Sequence, residues 1–556
     1  MLEKYGNKHL ASVVYDYSLR GHEDSVLDYC QPVNSKLAYS TRLPGGQKLA
    51  SPMKSDFLAG SHMELPKTGI AAAVAVVASI VIYLALSSFF VGTDEFKNDE
   101  NQSIKEYPDN TRFMRFTHGK QLSEAGEDLA GSEPYLIHNG KVKELVIFAP
   151  EHLQEFHRKD ANSHYKPENM NMGDYAGQLL GQCVGQMGGT KWKLARSHMD
   201  PEFSYRASRS MMQRFSQEID SWVSHLSENP TRRSTQKDVF VQDVKKRCKD
   251  LSLRSIAISI YGETFSEENY AILSTINELH ERIIFVAFLN KRVMSKWYNK
   301  LPTAEKRLMD SFQTQWKAFN LAQIKLAREK KLSCPAEKIY VGVEAGDMSL
   351  PEFLQSLDEM LFTNIDITGS ILALIFQHLA KDQAMQTKLR AEISAHRAQP
   401  GYTVGDYISK QNTLLHFSLL ESIRVTPAMY FTLPECNASP KRIGGFHIPA
   451  HTPTVVDVNR LNKNKSIWGT EADAFRPERF FGLDPARYRF GFVRWGIGRD
   501  KCLGKNMAEV ILKLAILAVT DKYTLHVPPA LPDQGEKSEA GFTINRDVEV
   551  EFRPAI

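Results

Sequence analysis

The sequence predicts a mainly α-helical globular domain with a minor β portion, preceded by one transmembrane helix. Three observations lead to this prediction. Residues 69–92 carry no charged side chain. Residues 237–331 repeat apolar side chains at helical spacing over long stretches. Short alternating patterns typical of strands lie on both sides of the helical region, at 134–150 and after residue 425.

Length and composition narrow the class of protein. A chain of 556 residues exceeds the usual size of one core, so we expect several domains or one large catalytic domain with appendages. The formal net charge of +4 is small, and no basic tract is interleaved with aromatic residues, so no nucleic-acid partner is expected. The six cysteines form no CxxC pair, which argues against a zinc site or a disulfide framework.

The uncharged segment 69–92 is long enough to span a bilayer, which takes about 20 apolar residues. A cleaved signal peptide is less consistent with it, because the segment is long and lies far from Met1. We therefore predict a transmembrane anchor at 69–92. The polar extension 1–68 is expected to be disordered or an artefact of gene prediction, with Met63 as the functional start.

The chain beyond the anchor divides into a polar linker, 93–133, and a catalytic domain, 134–556. Residues 350–382 form the longest predicted helix, and its middle is apolar nearly all round, so it should run through a core. Another helix is predicted at 503–520. The alternation at 542–554 predicts a pair of strands.

A glycine-rich, basic loop, WGIGRDKCLG at 495–504, precedes that last helix. Its glycines allow tight turns and close backbone approach to a flat ligand. The helix N-terminus and the neighbouring Arg499 and Lys501 are expected to stabilise a Cys502 thiolate. A helix-start loop with an incidental cysteine is the alternative interpretation.

Two charged residues interrupt an apolar helical segment at Glu421 and Arg424. Their i, i+3 spacing lets them meet on one helix face. A solvated surface pair is common and contributes little to stability, but charges within an apolar helix need partners. Arg479, in the stretch FRPERF, is expected to be the third member.

The ordered set ExxR, PERF and a glycine-flanked cysteine resembles the cytochrome P-450 family of haem-thiolate monooxygenases. Trp192 and Arg196 match the WxxxR pattern of the family's C helix. An anchor before a large helical domain is similar to the microsomal members. The resemblance covers residues from about 134 to the C-terminus, and it implies the family's helical domain with a small β domain.

The resemblance also implies roles for single residues. Cys502 would be the axial thiolate ligand of the iron of haem b, where thiolate donation favours O–O cleavage. Glu421, Arg424 and Arg479 would form a buried structural triad, and Trp192 and Arg196 would bind the haem propionates. The residues assigned to the cofactor are Cys502, Trp192, Arg196, Arg499, Trp495 and Gly498.

The loop departs from the family pattern F-x-x-G-x-R-x-C-x-G at two positions. Trp495 replaces the phenylalanine, a mild change because an aromatic side chain still packs on the cysteine. Asp500 stands in the arginine position and places an anion near a propionate. Arg499 or Arg494 is expected to compensate.

The long helix departs from the family pattern A/G-G-x-D/E-T-T, whose acid and alcohol relay protons to dioxygen. The acid, Asp366, is present, but Ile367 replaces the alcohol. Thr368 lies one residue on, about 100° around the helix. We take Asp366 and Thr368 as catalytic candidates, with Thr363, Asn364 or ordered water as substitutes for the alcohol. The alternative is that Thr368 bonds back to the preceding turn.

The implied activity is that of a membrane-anchored, O2-dependent monooxygenase of the endoplasmic reticulum with a cytosolic catalytic domain. The chain has no segment left for a flavin or nicotinamide domain, so electrons would come from a separate NADPH-cytochrome P-450 reductase. The stretches NIDIT, MGDYAGQLLGQCVG and HFSLLESIRV resemble filamentous-fungal enzymes of secondary metabolism. The expected substrate is small and apolar, such as a diketopiperazine or terpenoid intermediate.

Two further interpretations stay open on sequence alone. Loss of the alcohol at Ile367 is compatible with a haem-thiolate isomerase, dehydratase or peroxygenase that needs no proton relay. Asp500 in the haem loop is compatible with a degenerate homologue that binds haem or a ligand without catalysis.

Overall fold

The computed structural model describes residues 96–111, 114–158, 161–498, 501–529 and 548–555. The predicted extension at 1–68 and the predicted anchor at 69–92 lie outside these residues. Arg499 and Asp500 of the glycine-rich loop also lie outside them.

Helices account for most of the described chain, as the sequence predicts. Several begin at a Ser, Thr or Asp whose side chain accepts a first-turn N–H, which satisfies a donor that the helix itself leaves unpaired. The helices are α1 Met114–Thr117, α2 Gly119–Ala130, α3 Pro150–His157, α4 Asp174–Leu180, α5 Gly189–Met199, α6 Tyr205–Ser210, α7 Met212–Ser224, α8 Val244–Tyr261, α9 Glu267–Leu289, α10 Ala304–Lys330, α11 Pro335–Glu344, α12 Leu350–Lys381, α13 Gln383–Arg397, α14 Val404–Ser409, α15 Leu414–Val425, α16 Val458–Asn462, α17 Lys465–Trp468 and α18 Lys505–Lys522.

The minor β portion forms three small sheets, with strand orders β1-β2-β3-β9-β6, β10-β11-β5-β4 and β7-β8. The first of these sheets combines strands from the beginning of the domain with strands that follow α15. The strands are β1 Lys105–Asn110, β2 Tyr135–Asn139, β3 Val142–Ile147, β4 Arg232–Arg233, β5 Phe240–Asp243, β6 Glu435–Cys436, β7 Lys441–Ile443, β8 Phe446–Ile448, β9 Pro453–Val456, β10 Tyr523–His526 and β11 Glu549–Pro554.

The alternating stretch at 134–150 folds as an antiparallel hairpin of β2 and β3, which turns at Gly140 with a φ of 68°. The C-terminal alternation has a different outcome. Its described part is the single strand β11, which pairs antiparallel with β10 on one side and with β5 on the other. Residues 542–547 lie outside the described residues, and the described strand pairs with partners distant in sequence, which a local pattern cannot reveal.

The segment predicted to be a polar linker, 93–133, is folded where the structure describes it. β1 pairs in parallel with β2, and α2 packs beside it. Ile104, Phe116 and Leu122 are buried, with Leu122 fully so. Charged residues separate these few apolar side chains in the sequence, which is why composition suggests a linker. The folded domain therefore begins before residue 134.

The helix predicted at 350–382 is α12, and it runs through the core. A capping box of Ser349 and Glu352 starts it. α12 packs along α8 and also contacts α4, α15 and α18. Among the described residues it is the one helix long and apolar enough to cross a membrane, but most of that apolar stretch is buried in the domain. Its apolarity reflects core packing.

Candidate functional site

The glycine-rich loop before α18 has the tight geometry that its sequence predicts. Gly496 and Gly498 adopt φ values of 74° and 67°, in the left-handed region that side chains disfavour. The Cys502 N–H donates to the Trp495 carbonyl over 2.8 Å, which closes the loop on itself. Both backbone features hold Cys502 just ahead of the first turn of α18.

Cys502 differs from the other four cysteines in the described part of the chain, because its side chain is accessible and theirs are buried. Burial nevertheless raises the pKa of the Cys502 thiol, against the opposing effects of the Gly504 and Lys505 N–H groups and the Arg196 charge. A surface that is accessible yet desolvated faces an enclosed space.

One face of α12 borders the same space. Glu359, Thr363 and Ile367 follow each other one turn apart and are half-buried, whereas the intervening Phe362 and Ile365 are fully buried. The carboxylate of Glu359 acts electrostatically on the Cys502 thiol. This face of α12 and the glycine-rich loop are therefore close enough to interact electrostatically, and we call the space between them the chamber.

Trp192 and Arg196 lie on α5. The Arg196 guanidinium stands 5.4 Å from the centre of the Trp192 ring, and its Nε donates to Asp200 over 2.5 Å. The same positive charge lowers the pKa of the Cys502 thiol. α5 therefore presents a cation to the chamber near the cysteine.

Glu421, Arg424 and Arg479 lie in direct contact. Two parallel bonds join Arg424 to Glu421, at 2.7 and 2.8 Å, and Arg479 Nε donates to the same carboxylate over 2.7 Å. The side chains of Glu421 and Arg424 are completely buried. Such a pair is stable only when its remaining polar atoms are also satisfied.

Backbone carbonyls satisfy the two arginines. Arg424 and Arg479 share the Ala474 carbonyl, at 3.1 and 3.0 Å, and the Arg476 N–H returns a bond to Glu421 over 2.9 Å. This network ties α15 to the chain that leads into the glycine-rich loop. The other carbonyls that accept from the two arginines belong to Asn462, Trp468, Glu471 and Ala472.

Asp366, the predicted relay acid, forms an ion pair that the sequence does not reveal. Its carboxylate lies 3.0 Å from the ammonium of Lys249 on α8, which also lies 2.8 Å from Glu281 on α9. Burial alone would lower the pKa of Lys249, but the two carboxylates outweigh it and raise the pKa. Thr368 lies half-buried two residues further along α12. Asp366 therefore shares the single ammonium of Lys249 with a second carboxylate, Glu281.

A model of the cytochrome P450 family matches residues 131–547. The chain belongs to the cytochrome P450 family. It is therefore a haem-dependent monooxygenase, an oxidoreductase that holds haem b through a cysteine thiolate and takes electrons from a redox partner.

Named fungal P450s are similar over most of their length. The chain is 97% identical over 508 residues to the cytochrome P450 monooxygenase lepD of Aspergillus flavus, which covers 91% of this chain and 100% of that protein. It is 39% identical to apdB of Emericella nidulans, over 77% of this chain and 87% of that protein. A zebrafish P450 structure with abiraterone matches with a TM-score of 0.61 at 15% identity, over 79% of this chain and 100% of that one. The fold and the fungal secondary-metabolism type are thus those that the sequence motifs indicate.

The chamber suits the family's cofactor on three counts. Cys502 is the accessible thiol, Arg196 supplies a cation for a carboxylate, and the glycines let the loop backbone approach a flat ring. Among the described residues, the indole N–H of Trp495 is buried and finds no acceptor, so it is a donor that a bound thiolate or polar group can satisfy. The donor set therefore fits haem with a thiolate ligand.

Two features of the chamber escape the motif patterns. Glu359 contributes a carboxyl to its wall, although nothing in the local sequence of α12 distinguishes this residue from a surface glutamate. A cluster of His157, His164 and Glu435 has its ligand-type atoms within 4.8 Å of one another, and His157 Nδ1 lies 3.9 Å from the point where a Cβ on Gly498 would stand. Only the three-dimensional structure brings His157, and with it this cluster, near the loop.

Proposed function

We propose that the chain is a membrane-anchored P450 that oxidises a small, largely apolar fungal secondary metabolite, of the diketopiperazine or terpenoid kind. The observation that supports this proposal is the accessible Cys502 thiol, which lies near a face of α12 that carries both polar and apolar side chains. NADPH-cytochrome P-450 reductase would supply the electrons. Segment 69–92 would anchor the chain in the endoplasmic reticulum, with residues 1–68 as its extension and the catalytic domain in the cytosol.

Within this proposal, Cys502 ligates the haem iron, and Trp495 and Gly498 pack the loop against the ring. Trp192 and Arg196 hold the propionates from α5, together with Arg499. Haem held by these residues would supply the dioxygen activation that a monooxygenase needs. Glu421, Arg424 and Arg479 keep the loop region in place.

The proposal is tested by turnover and by metabolite analysis. The purified chain with reductase, NADPH and O2 should convert a metabolite that accumulates when the gene is deleted in the producing fungus. Conversion without NADPH and reductase would instead select the isomerase, dehydratase or peroxygenase interpretation. No accumulated metabolite and no turnover would contradict the proposal.

Replacing Arg196 with alanine should weaken haem retention, because the chamber then loses the cation that faces a propionate. The loss of a charge-assisted hydrogen bond predicts about a tenfold or greater increase in the rate of haem transfer to apomyoglobin. Lys193→Ala, at an exposed position of the same helix, is the matched control and should leave the rate unchanged. Equal rates in both variants would mean that Arg196 does not contact haem.

Asp366→Asn should slow product formation far more than Thr368→Ala. The carboxylate of Asp366 can pass protons toward the chamber and is held by Lys249, whereas Thr368 is displaced around the helix from the family's alcohol position. The expected loss is about tenfold or more in kcat for Asp366→Asn and less than about threefold for Thr368→Ala, read as barrier changes. Equal, small losses would place the proton path elsewhere.

A further inference from the structure

The carboxyl of Glu359 lies inside the protein without an ion-pair partner within 4 Å among the described residues. The side chain is half-buried, yet burial dominates its environment and raises the pKa of its carboxyl. As with Cys502, accessible surface combined with desolvation means that Glu359 faces an enclosed space. A carboxyl in such a place is costly unless something accepts or donates a hydrogen bond there.

The neighbouring backbone holds this carboxyl in one orientation. The Gly185 N–H donates to Glu359 Oε2 over 2.9 Å. A Cβ at residue 185 would stand 1.9 Å from Oε1, so the chain can approach this closely only because residue 185 is glycine. The carboxyl is therefore pre-positioned at the chamber wall.

Two more bonds of the same kind fix the approaching segment. The Gln182 N–H donates to Gln355 over 2.6 Å, and the Val184 N–H donates to Ser356 over 2.9 Å. Three successive side chains on one side of α12 thus accept N–H groups from residues 182–185. One oxygen of Glu359 accepts the Gly185 N–H, and the Cys183 thiol of the same segment also bonds to this carboxyl.

Charged groups around Glu359 act in both directions. Burial has the largest effect and raises the pKa of Glu359. Hydrogen bonds from the Gly185 N–H and the Cys183 thiol lower this pKa. The charge of Asp358 on the same helix raises it, and the charge of Lys166 lowers it. Whether protonated or ionised, the carboxyl keeps acceptor capacity beyond its bonds to Gly185 and Cys183. Asp366, two turns further along, has its charge balanced by Lys249, so it is not a comparable free acceptor.

We propose that Glu359 is the polar recognition residue of the substrate chamber and accepts a hydrogen bond from an O–H or N–H group of an otherwise apolar substrate. This inference rests on the proposed function and narrows its substrate class. The inference assigns a hydrogen-bond donor to one end of the substrate. A desolvated acceptor carboxyl binds an analogue without this donor much more weakly, because the carboxyl is then left unpaired.

The test compares two probes of nearly equal shape, 2-naphthol and 2-methylnaphthalene, which differ by O–H against CH3. Binding to the haem-loaded protein is measured by equilibrium dialysis and by the change in the ferric Soret band. The wild-type protein should bind 2-naphthol at least about tenfold more tightly. Glu359→Leu should abolish that preference, and Glu359→Gln, which keeps an acceptor oxygen, should retain part of it.

Glu268→Leu, at an exposed position of α9, is the control and should keep the full preference. A purely structural role for Glu359 predicts weaker binding of both probes with the preference unchanged, and that result would overturn the inference. So would equal binding of the two probes by the wild-type protein, or no saturable binding of either.

The proposed function is judged separately, from the thiolate spectrum of the reduced carbon monoxide complex. A variant that keeps this spectrum and binds 2-methylnaphthalene but loses the O–H preference supports the inference. If the wild-type protein binds no haem, the proposed function itself is contradicted, whatever the result with the two probes.

Discussion

Replacing Cys502 with alanine is expected to abolish the red-shifted Soret band that thiolate-ligated haem gives when reduced and exposed to carbon monoxide. Cys502 is the accessible cysteine among those the structure describes, and the charge of Arg196 acts on its thiol. A metal ion deprotonates a thiol that it binds, so the raised pKa of the free thiol does not oppose ligation.

The control for this experiment is Cys334→Ala, because Cys334 is buried beside α11 and faces no chamber. It should keep the band, with only the modest loss of stability that follows from removing a small buried side chain. Survival of the band in Cys502→Ala would show that the ligand assignment is wrong.

Replacing Arg424 with methionine should destabilise the domain by about 3–5 kcal/mol, the range found when one partner of a buried ion pair is removed. The change leaves the fully buried Glu421 facing Arg479 alone and strips the carbonyls of Asn462 and Ala472 of their donor. Urea unfolding followed by circular dichroism measures the loss. Haem content should fall in parallel, because the same network positions the chain leading into the Cys502 loop.

Arg476→Met provides the matched comparison. Arg476 lies in the same segment and pairs with Glu471, but both side chains are more than half exposed. Surface pairs of this kind contribute about 0–1 kcal/mol. If the two substitutions had equal effects on the unfolding midpoint, the buried triad would not be the element that stabilises this region.

Much of the candidate site can be predicted from the spacing of residues that are close in sequence. The i, i+3 spacing of Glu421 and Arg424 predicts that they meet on one helix face, and the two parallel bonds between them show that they do. The glycines of the Cys502 loop likewise predict backbone turns, and the positive φ of Gly496 and Gly498 matches. Arg479, by contrast, joins the pair from a distant segment, and only the family resemblance points to it.

Features that depend on several elements at once do not show in the sequence. The Asp366 ion pair needs Lys249 from α8 and Glu281 from α9, and helical periodicity gives no register between helices. The folded segment 96–132 buries a few widely spaced apolar residues by pairing β1 with β2. Its polar composition therefore wrongly predicts a linker. The pKa of Cys502 depends on desolvation by the whole domain, which no loop motif encodes.

The attachment of residues 182–185 to α12 has a consequence for how this enzyme can diverge or be recombined. Gln355, Ser356 and Glu359 accept three N–H groups from a stretch that is distant in sequence. A chimera that exchanges α12 with another P450 but keeps this stretch loses several bonds together and brings the new side chains against Gly185. Residues 182–185 and α12 should therefore be exchanged together, and the range of substrates should change when both are replaced.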